Sequence, residues 1–336
     1  MKAKISILIP TYNREEKILS LLNKLNVFFE SNNELKSFFE IHISNNGSTD
    51  QTANSVSNFI KEKDNFYFYN QNINLGFDKN IKFLYEQVKT DYLWFFSDDD
   101  IFYEEAFQKI ISSVSIEKPD ILLFSFAQPA SNLKLTFNLP LPVYNTFDTK
   151  EIIESIALFP KLSIYVMKKI NIPNDFQLYL NSIIGRGFYF LSLSYTVLSL
   201  SQKPKLTILP EQLACCDEEY NHFSINPDIF LYFYETFSHP FVLKYYPNLY
   251  MIKKTLSYIN TLEYLYKIKE GKFVVNKIED YDKYIKSFPF QWDVLLVNPP
   301  LLLQYILLKT KSVQLFHKYG KPFYDKLIKP FRKNYN

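Results

Sequence analysis

The feature that most constrains the fold is an alternation of short apolar runs and amphipathic segments that starts within the first residues. The runs ISILIP (5–10) and FEIHIS (39–44) are rich in β-branched residues and bounded by polar ones, which indicates buried strands. Between them, EEKILSLLNKLNVFFES (15–31) repeats apolar residues three and four apart, as an amphipathic helix does. Such alternation predicts an α/β fold whose mostly parallel sheet is flanked by helices.

The alternation continues to about residue 127 and then loosens. Ser48 and Gln51 match a capping box, which predicts that the second helix starts there and runs to about Lys63. Further strands are predicted at 65–71, 92–97, 120–127, 161–169 and 205–210, further helices at 77–89, 103–117, 149–159 and 176–200, and a hairpin or extended segment at 133–147. Helical spacing dominates later, so we predict an α/β domain over 1–220 and a mainly helical C-terminal domain over 221–336.

Charge and composition narrow the class of partner. A net charge of +3 is too small to indicate nucleic-acid binding, but residues 309–336 hold eight Lys or Arg and one Asp among aromatic residues. This basic tail favours peripheral contact with an anionic membrane surface, with a basic helix on the protein's own surface or a frayed end as the alternatives. No transmembrane segment or signal peptide is predicted, and the adjacent Cys215 and Cys216 fit a reducing, cytoplasmic location.

Polar clusters follow three of the predicted strands, namely PTYNR (10–14), SNNGSTD (44–50) and SDDD (97–100). In a doubly wound sheet, ligands bind beyond the carboxyl ends of the strands, where such clusters converge. Adjacent carboxylates disfavour each other's charge unless a cation or hydrogen-bond donors compensate, and Mg²⁺ or Mn²⁺ suits such oxygen ligands. The alternative is a solvated loop whose first acid caps the next helix.

The order ISILIPTYNR, HISNNGSTDQT, NINLGFDKN and YLWFFSDDD resembles the nucleotide-sugar-binding half of family 2 glycosyltransferases, which have the GT-A fold. The resemblance covers residues 4 to about 125, and its NxGxDxN form and SDDD ending are most similar to the abequosyltransferase-like branch of surface-polysaccharide enzymes. It implies that a nucleotide sugar lies against the three polar clusters and NINLGFDKN. The residues that it assigns to this donor site are Pro10, Thr11, Tyr12, Arg14, Asn45, Asn46, Gly76, Asp78, Lys79, Asp98 and Asp99.

The resemblance also implies a divalent metal, Mn²⁺ or Mg²⁺, that bridges the diphosphate. Two registers of the acidic motif are open: Asp98 and Asp100 as the metal pair, which we favour, or Ser97 in place of the family's first acid with Asp99 as the ligand. Relatives usually carry Asp where this chain has Asn45 or Asn46, so the identity of the nucleotide base stays open.

Family 2 resemblance implies inversion at the anomeric carbon, with a carboxylate that removes the proton of the acceptor hydroxyl. The ED pair expected near 185–192 is missing, since the chain reads GRGFYFLS there. Asp175, Asp217 and Glu218 are the candidate bases, in that order. Arg186, within GRG, either contacts phosphate or lies in a glycine-rich helix contact.

The resemblance therefore implies a metal-dependent, inverting glycosyltransferase that moves a sugar from a nucleotide diphosphate sugar to a bacterial surface glycan, such as capsule, O-antigen or lipooligosaccharide. A glycan or lipid-linked glycan is the expected acceptor, at the inner face of the cytoplasmic membrane. The alternatives are a catalytically silent GT-A scaffold that binds a partner or glycan, and a sugar nucleotidyltransferase. Homo-oligomerisation is left open.

Overall fold

The structure is a computed structural model of the chain, which describes residues 3–128, 133–135, 144–146, 161–216, 239–245 and 299–313, with the single positions 262, 265, 266, 285 and 295. The chain divides into two compact units, Met1–His222 and Phe223–Asn336. Among the described residues, no helix has both the length and the apolar character needed to cross a membrane.

One mixed sheet organises the first unit. Its strands are β1 (Ile5–Thr11), β2 (Phe39–Asn45), β3 (Phe66–Asn70), β4 (Tyr92–Phe95), β5 (Asp100–Phe102), β6 (Ile121–Gln128), β7 (Leu133–Leu135), β8 (Tyr144–Thr146), β9 (Tyr165–Lys168) and β10 (Leu206–Cys216). The order is β3-β2-β1-β4-β9-β6-β10-β5, while β7 pairs with β6 and β8 with β10. The neighbours β3, β2, β1 and β4 run parallel, and so do β6 and β10, whereas β9 is antiparallel to both β4 and β6. The predicted GT-A architecture, a mostly parallel sheet flanked by helices, is confirmed.

Seven described α-helices accompany the sheet. They are α1 (Glu15–Ser31), α2 (Asn33–Lys36), α3 (Thr52–Phe59), α4 (Phe77–Gln87), α5 (Glu105–Ile116), α6 (Asn174–Ser182) and α7 (Tyr189–Leu200), and a 3₁₀ turn covers Leu162–Ile164. In the second unit the structure describes α8 (Pro240–Tyr245) and α9 (Pro299–Lys309). The buried core residues described there are Leu262, Leu265, Tyr266, Ile285, Leu295, Leu307, Leu308 and Val313.

Three sequence predictions need correction. The capping box is wrong, because α3 begins at Thr52 after Gln51 and has no side-chain cap, while the Ser48 hydroxyl donates to Asn45 instead. The single helix predicted over 176–200 is two helices, since the segment between α6 and α7 contains Gly185 and Gly187 at positive φ. The solvated-loop alternative for the aspartates is also wrong, because Asp98 and Asp100 are buried and Asp100 begins β5.

The predicted strand at 161–169 becomes the 3₁₀ turn and β9, and the run at 205–210 continues to Cys216. The ends of the segment predicted as a hairpin, β7 and β8, pair with other strands and not with each other. The helix predicted over 149–159 lies outside the described residues.

Aromatic side chains pack the core beneath the carboxyl end of β4. Phe28 of α1 stacks on Phe107 of α5 with 4.5 Å between ring centroids, and Phe107 also meets Trp94 of β4 edge to face. The Trp94 indole donates to the carbonyl of Ser163 at 2.8 Å, which ties β4 to the 3₁₀ turn. Because aromatic side chains bury large apolar areas in fixed geometries, this packing holds the residues after β4 in place.

Candidate functional site

The three consecutive aspartates follow β4 at the carboxyl edge of the parallel strands. β1 lies between β2 and β4, so Thr11, Asn45 and the residues after Phe95 end at the same edge. The Phe96 amide still donates to the Leu8 carbonyl at 2.9 Å, which keeps the chain beside β1 as it leaves the sheet. The first polar cluster therefore lies next to the aspartates, and the second lies one strand further along the same edge.

Arg14 links the first cluster to the aspartates. Its Nη1 atom donates to Asp98 Oδ1 at 2.7 Å and to Asp99 Oδ2 at 2.6 Å. The Arg14 side chain is 44% exposed, whereas that of Asp98 is 4% exposed. One guanidinium thus compensates two neighbouring carboxylates, with its outer surface open to solvent.

Asp98 keeps one oxygen unused. Burial raises the pKa of Asp98 to about 6, against the opposing effect of the Arg14 charge. The Thr11 hydroxyl also lowers this pKa, although neither Thr11 Oγ1 nor Asp98 Oδ2 meets the geometry of a hydrogen bond with any described group. A buried carboxylate oxygen without a donor is costly, so Asp98 Oδ2 is a candidate ligand atom for a cation or a water molecule.

Asp100 is bound from the opposite side of the cluster. Lys161 Nζ donates to Asp100 Oδ1 at 3.0 Å and the Ser163 hydroxyl donates to Oδ2 at 2.5 Å, on a side chain that is fully buried. Burial raises the pKa of Asp100, opposed by Lys161 and Ser163. For Asp99 burial acts in the same direction, but the Ser97 hydroxyl with the charges of Arg14 and Lys161 outweighs it and lowers the pKa.

The donor set of the cluster suits a hard divalent ion. Within the part of the chain that the structure describes, no three His, Cys, Asp or Glu side chains converge as a complete metal cage. Mg²⁺ is commonly held by one or two carboxylates, with substrate phosphates completing its shell. Asp98 Oδ2 has no hydrogen-bond donor among the described groups, whereas both Asp100 oxygens accept hydrogen bonds, from Lys161 and Ser163. The two residues predicted as the metal pair thus have the oxygen chemistry that such an ion takes.

A small cavity of about 30 Å³ lies beside the aspartates, lined by Lys17, Ser20, Leu21 and Lys24 of α1 and by residues 98–101. A space of this size takes a water molecule or an ion. The basic side chains of α1 therefore contribute positive charge next to the acidic cluster.

The two asparagines that follow β2 hold neighbouring loops together. Asn45 Nδ2 donates to Asn70 Oδ1 at 2.7 Å, at the end of β3. Asn46 Nδ2 donates to Asn74 Oδ1 at 3.0 Å, and Asn46 Oδ1 accepts from the Leu75 amide at 2.9 Å. Both side chains are buried, so in this structure their amides bind protein groups at the positions predicted to contact the base.

The NINLGFDKN segment divides between buried and exposed residues. Asp78 Oδ2 accepts from the amides of Gly185 and Gly187, each at 2.8 Å, and Oδ1 accepts from the Tyr189 amide at 3.1 Å. Burial raises the pKa of Asp78, against the lowering effect of these backbone donors. Asp78 thus holds the loop before α7, while Gly76 and Lys79 are exposed. Arg186, in the same loop, donates to the Ser182 carbonyl at 2.7 Å.

In the first cluster, Pro10 and Thr11 are buried and the Tyr12 side chain is 40% exposed. Asn13 adopts a positive φ of 51° and accepts from the Thr49 amide at 2.7 Å, which joins the first cluster to the second. An exposed tyrosine on a loop fixed at this edge can stack on a planar ligand.

The structure does not bring Asp175 to the aspartates. β9 is antiparallel to β4, with Lys168 opposite Tyr92, so the chain leaves β9 at the edge where β4 begins. Asp175 follows six residues beyond Lys169 at the start of α6, where it is exposed and accepts from the Phe176 amide. Asp217 and Glu218 lie outside the described residues.

Sequence reasoning missed Lys161 and Ser163. Both precede β9, which the fold inserts between β4 and β6, so they reach the aspartates although they are more than 60 residues away in sequence. The run KLSIYVMKK predicted a strand, but strand order and direction were needed to place its first residues at this site.

A mixed sheet with acidic residues at the carboxyl end of its fourth strand, flanked by helices, defines a protein of the GT-A class. Residues 6–170 match the family model described as glycosyl transferase family 2, so this domain of the chain is a family 2 glycosyltransferase domain. The family resemblance drawn from the four motifs is therefore confirmed.

Two curated relatives match the N-terminal part of the chain. It is 37% identical to abequosyltransferase RfbV of Salmonella typhimurium over 97 residues, and this match covers 29% of this chain and 28% of RfbV. It is 31% identical over 98 residues to a GalNAc(5)-diNAcBac-PP-undecaprenol beta-1,3-glucosyltransferase of Campylobacter jejuni, which is 29% of this chain and 30% of that protein. The chain thus spans less than a third of the length of either relative.

Solved structures support the fold over most of the chain. S. aureus TarS 1-349 superposes with a TM-score of 0.60 at 16% identity, covering 94% of this chain and 92% of that chain. The mannosyltransferase PcManGT from Pyrobaculum calidifontis, in complex with GDP-Man and Mn2+, has a TM-score of 0.50 at 8% identity, covering 96% and 88%. At sequence identities this low, the superpositions show a shared fold only.

Proposed function

We propose that this protein is an inverting, metal-dependent glycosyltransferase that moves a sugar from a nucleotide diphosphate sugar to a bacterial surface glycan. The observation that carries the proposal is the unpartnered, buried Asp98 Oδ2 beside Arg14, at the carboxyl edge of a family 2 domain. An edge of this kind supplies a carboxylate for a cation and a guanidinium for phosphate in one place.

On the donor side, the exposed Tyr12 would stack on the base, and Arg14 would turn its open face toward the diphosphate. Asp98 and Asp100 would hold a divalent ion which, when bound, neutralises the diphosphate and stabilises the leaving nucleoside diphosphate. Asn45 and Asn46 act by fixing the loops that surround the base, since their amides are bound within the protein.

For the catalytic base we propose Asp217, with Glu218 as the second candidate. Cys216, which immediately precedes Asp217 in sequence, is the register partner of Asp100 on β5. A carboxylate there would take the proton of the acceptor hydroxyl as its oxygen attacks the anomeric carbon, and the bond to the diphosphate oxygen breaks in the same step. Asp175, at the other edge of the sheet, takes no part in this proposal.

A lipid-linked glycan is the proposed acceptor. The Campylobacter jejuni relative is named for a PP-undecaprenol glycan. The basic aromatic tail from Lys309 onward, of which residues 314–336 lie outside the described residues, would bring the enzyme to the anionic inner leaflet where such an acceptor resides.

The test is release of nucleoside diphosphate from a panel of UDP-, GDP- and CDP-sugars, with and without Mn²⁺. We expect turnover of at least one donor that requires the ion, and a loss of about hundredfold or more in Asp98→Asn, which keeps the side-chain shape but removes the charge. Asp217→Asn should lower kcat by a similar factor with the donor KM kept, because a general base acts only in the chemical step.

The matched control is Asp64→Asn, an exposed aspartate before β3 that should leave the rate unchanged. If no donor is consumed and no nucleoside diphosphate raises the melting temperature, the chain is a silent scaffold and the proposed function fails.

A further inference from the structure

The two charged ends of the aspartate cluster are not equivalent. Arg14 bridges Asp98 and Asp99 with one nitrogen and leaves Asp98 Oδ2 unpartnered. Lys161, by contrast, occupies Asp100 Oδ1 while Ser163 occupies Oδ2, so each Asp100 oxygen already accepts a hydrogen bond. The cluster therefore offers an open ligand atom at Asp98 and a covered one at Asp100.

Lys161 is the partner of Asp100 that can leave. Its ammonium is a compact charge on a flexible stem, and its side chain is 23% exposed, so it has access to solvent. Nζ also lies 4.6 Å from the centroid of the Phe126 ring, which supports the ammonium from the side of β6.

Ser163 would keep Asp100 in position if Lys161 moved. Its hydroxyl donates to Asp100 Oδ2 and accepts from the Ser97 amide at 2.9 Å, so the carboxylate stays fixed to the backbone before the aspartates. Departure of Lys161 therefore uncovers Asp100 Oδ1 without requiring the carboxylate to rotate.

The balance of charge in the cluster indicates when Lys161 would leave Asp100. The three carboxylates and the two cations bonded to them, Arg14 and Lys161, sum to one net negative charge, while Lys17 and Lys24 of α1 add positive charge at the adjoining cavity. A divalent cation brings two positive charges next to Lys161, and like charges at such distances repel strongly where water is scarce. A diphosphate supplies the compensating negative charge, and an ammonium binds phosphate readily.

We propose that Lys161 is an exchangeable counter-ion, which covers Asp100 in the free protein and transfers to the donor's diphosphate when a divalent cation binds Asp98 and Asp100. This inference rests on the proposed function and adds a donor-binding residue that also makes metal binding depend on the donor. Lys161 thereby opposes binding of the metal alone and favours binding of the metal together with the diphosphate.

The experiment measures two affinities of the full chain by calorimetry, without turnover. One is for Mn²⁺ alone, and the other is for the most tightly bound of UDP, GDP and CDP in saturating Mn²⁺. In Lys161→Met, which keeps the stem beside Phe126 but loses the charge, we expect Mn²⁺ alone to bind about tenfold more tightly. The nucleoside diphosphate should bind about tenfold or more weakly, because its charged donor is gone.

Opposite changes in the two affinities distinguish this role from a structural one, which would weaken both. Lys161→Arg keeps the charge, so both affinities should stay close to those of wild type. If Lys161→Met unfolds, Lys161→Arg serves as the folded variant. A large loss of nucleoside diphosphate affinity in Lys161→Arg would then also count against the proposal. Lys109→Met is the matched control, since Lys109 pairs with Glu211 and with none of the three aspartates.

Parallel changes in both affinities, or none, would overturn the inference while leaving the proposed function intact. Failure of wild type to bind any of the three nucleoside diphosphates would overturn both.

Discussion

Asp78 lies in the first turn of α4 and accepts three backbone hydrogen bonds from the loop that precedes α7. Replacement by Asn would turn an amide N–H toward these N–H donors and leave buried donors unpaired. We expect Asp78→Asn to lower the free energy of unfolding by about 2 to 3 kcal/mol, measured by urea denaturation.

The control for this change is Asp175→Asn. Asp175 also lies in the first turn of a helix, but it is exposed and its carboxylate accepts a hydrogen bond from the amide of its neighbour Phe176. Asp175→Asn should lower the free energy of unfolding by no more than about 0.5 kcal/mol. Equal effects of the two variants would mean that the loop before α7 does not depend on Asp78.

At the same scale, sequence could identify Asp78, Arg14 and the aspartates, because each belongs to a motif with a recognisable order of residues. It could not identify their partners. The amides that bind Asp78 lie more than 100 residues away, and their role depends on backbone direction, which no side-chain type reveals.

At the level of elements, two loops approach each other so closely that one glycine is obligatory. Gly47 has a φ of +67°, and a Cβ atom built on it would lie 2.3 Å from the Ile73 carbonyl carbon. Since the obstacle is backbone, it cannot move aside as a flexible side chain would. Gly47 therefore permits the close contact between the loop after β2 and the loop before α4, which the hydrogen bonds of Asn46 then hold together.

Gly47→Ala should separate these loops. We expect it to lower the free energy of unfolding by about 2 kcal/mol more than Gly185→Ala, since overpacking adds to the backbone strain. Gly185 is the matched control because its φ of +93° is also positive but nothing lies within 4 Å of an added Cβ. Similar losses in urea denaturation would show that close approach of the loops contributes nothing.

Elements of strong periodicity, such as α1 and β1, were predictable within a residue or two because their apolar spacing fixes both type and burial. The break between α6 and α7 was not, because apolar residues continue through 176–200 and the turn depends on two glycines at positive φ. The capping box failed because the Ser48 hydroxyl bonds Asn45 and the Asn13 amide in preference to the helix start.

At the level of the whole molecule, the described site residues belong to one of the two compact units. Arg14, the aspartates and Lys161 all fall within Met1–His222, together with the complete described sheet. The second unit has a buried apolar cluster of its own and includes the basic tail. Donor binding and membrane contact should therefore be separable by cutting the chain between the units.

A chain truncated to residues 1–222 should unfold in one cooperative transition, bind the preferred nucleoside diphosphate with Mn²⁺ as the full chain does, and lose its recovery with membranes after cell fractionation. Because the truncated chain keeps the sheet and the aspartates, its affinity for the nucleoside diphosphate reports on the donor site alone. A second truncation, to residues 1–309, removes most of the basic tail and should reduce membrane recovery while donor turnover continues. If residues 1–222 unfold cooperatively but have lost affinity for the nucleotide, part of the donor site lies in the second unit. If both truncated chains are recovered with membranes as fully as the whole chain, the tail is not the anchor.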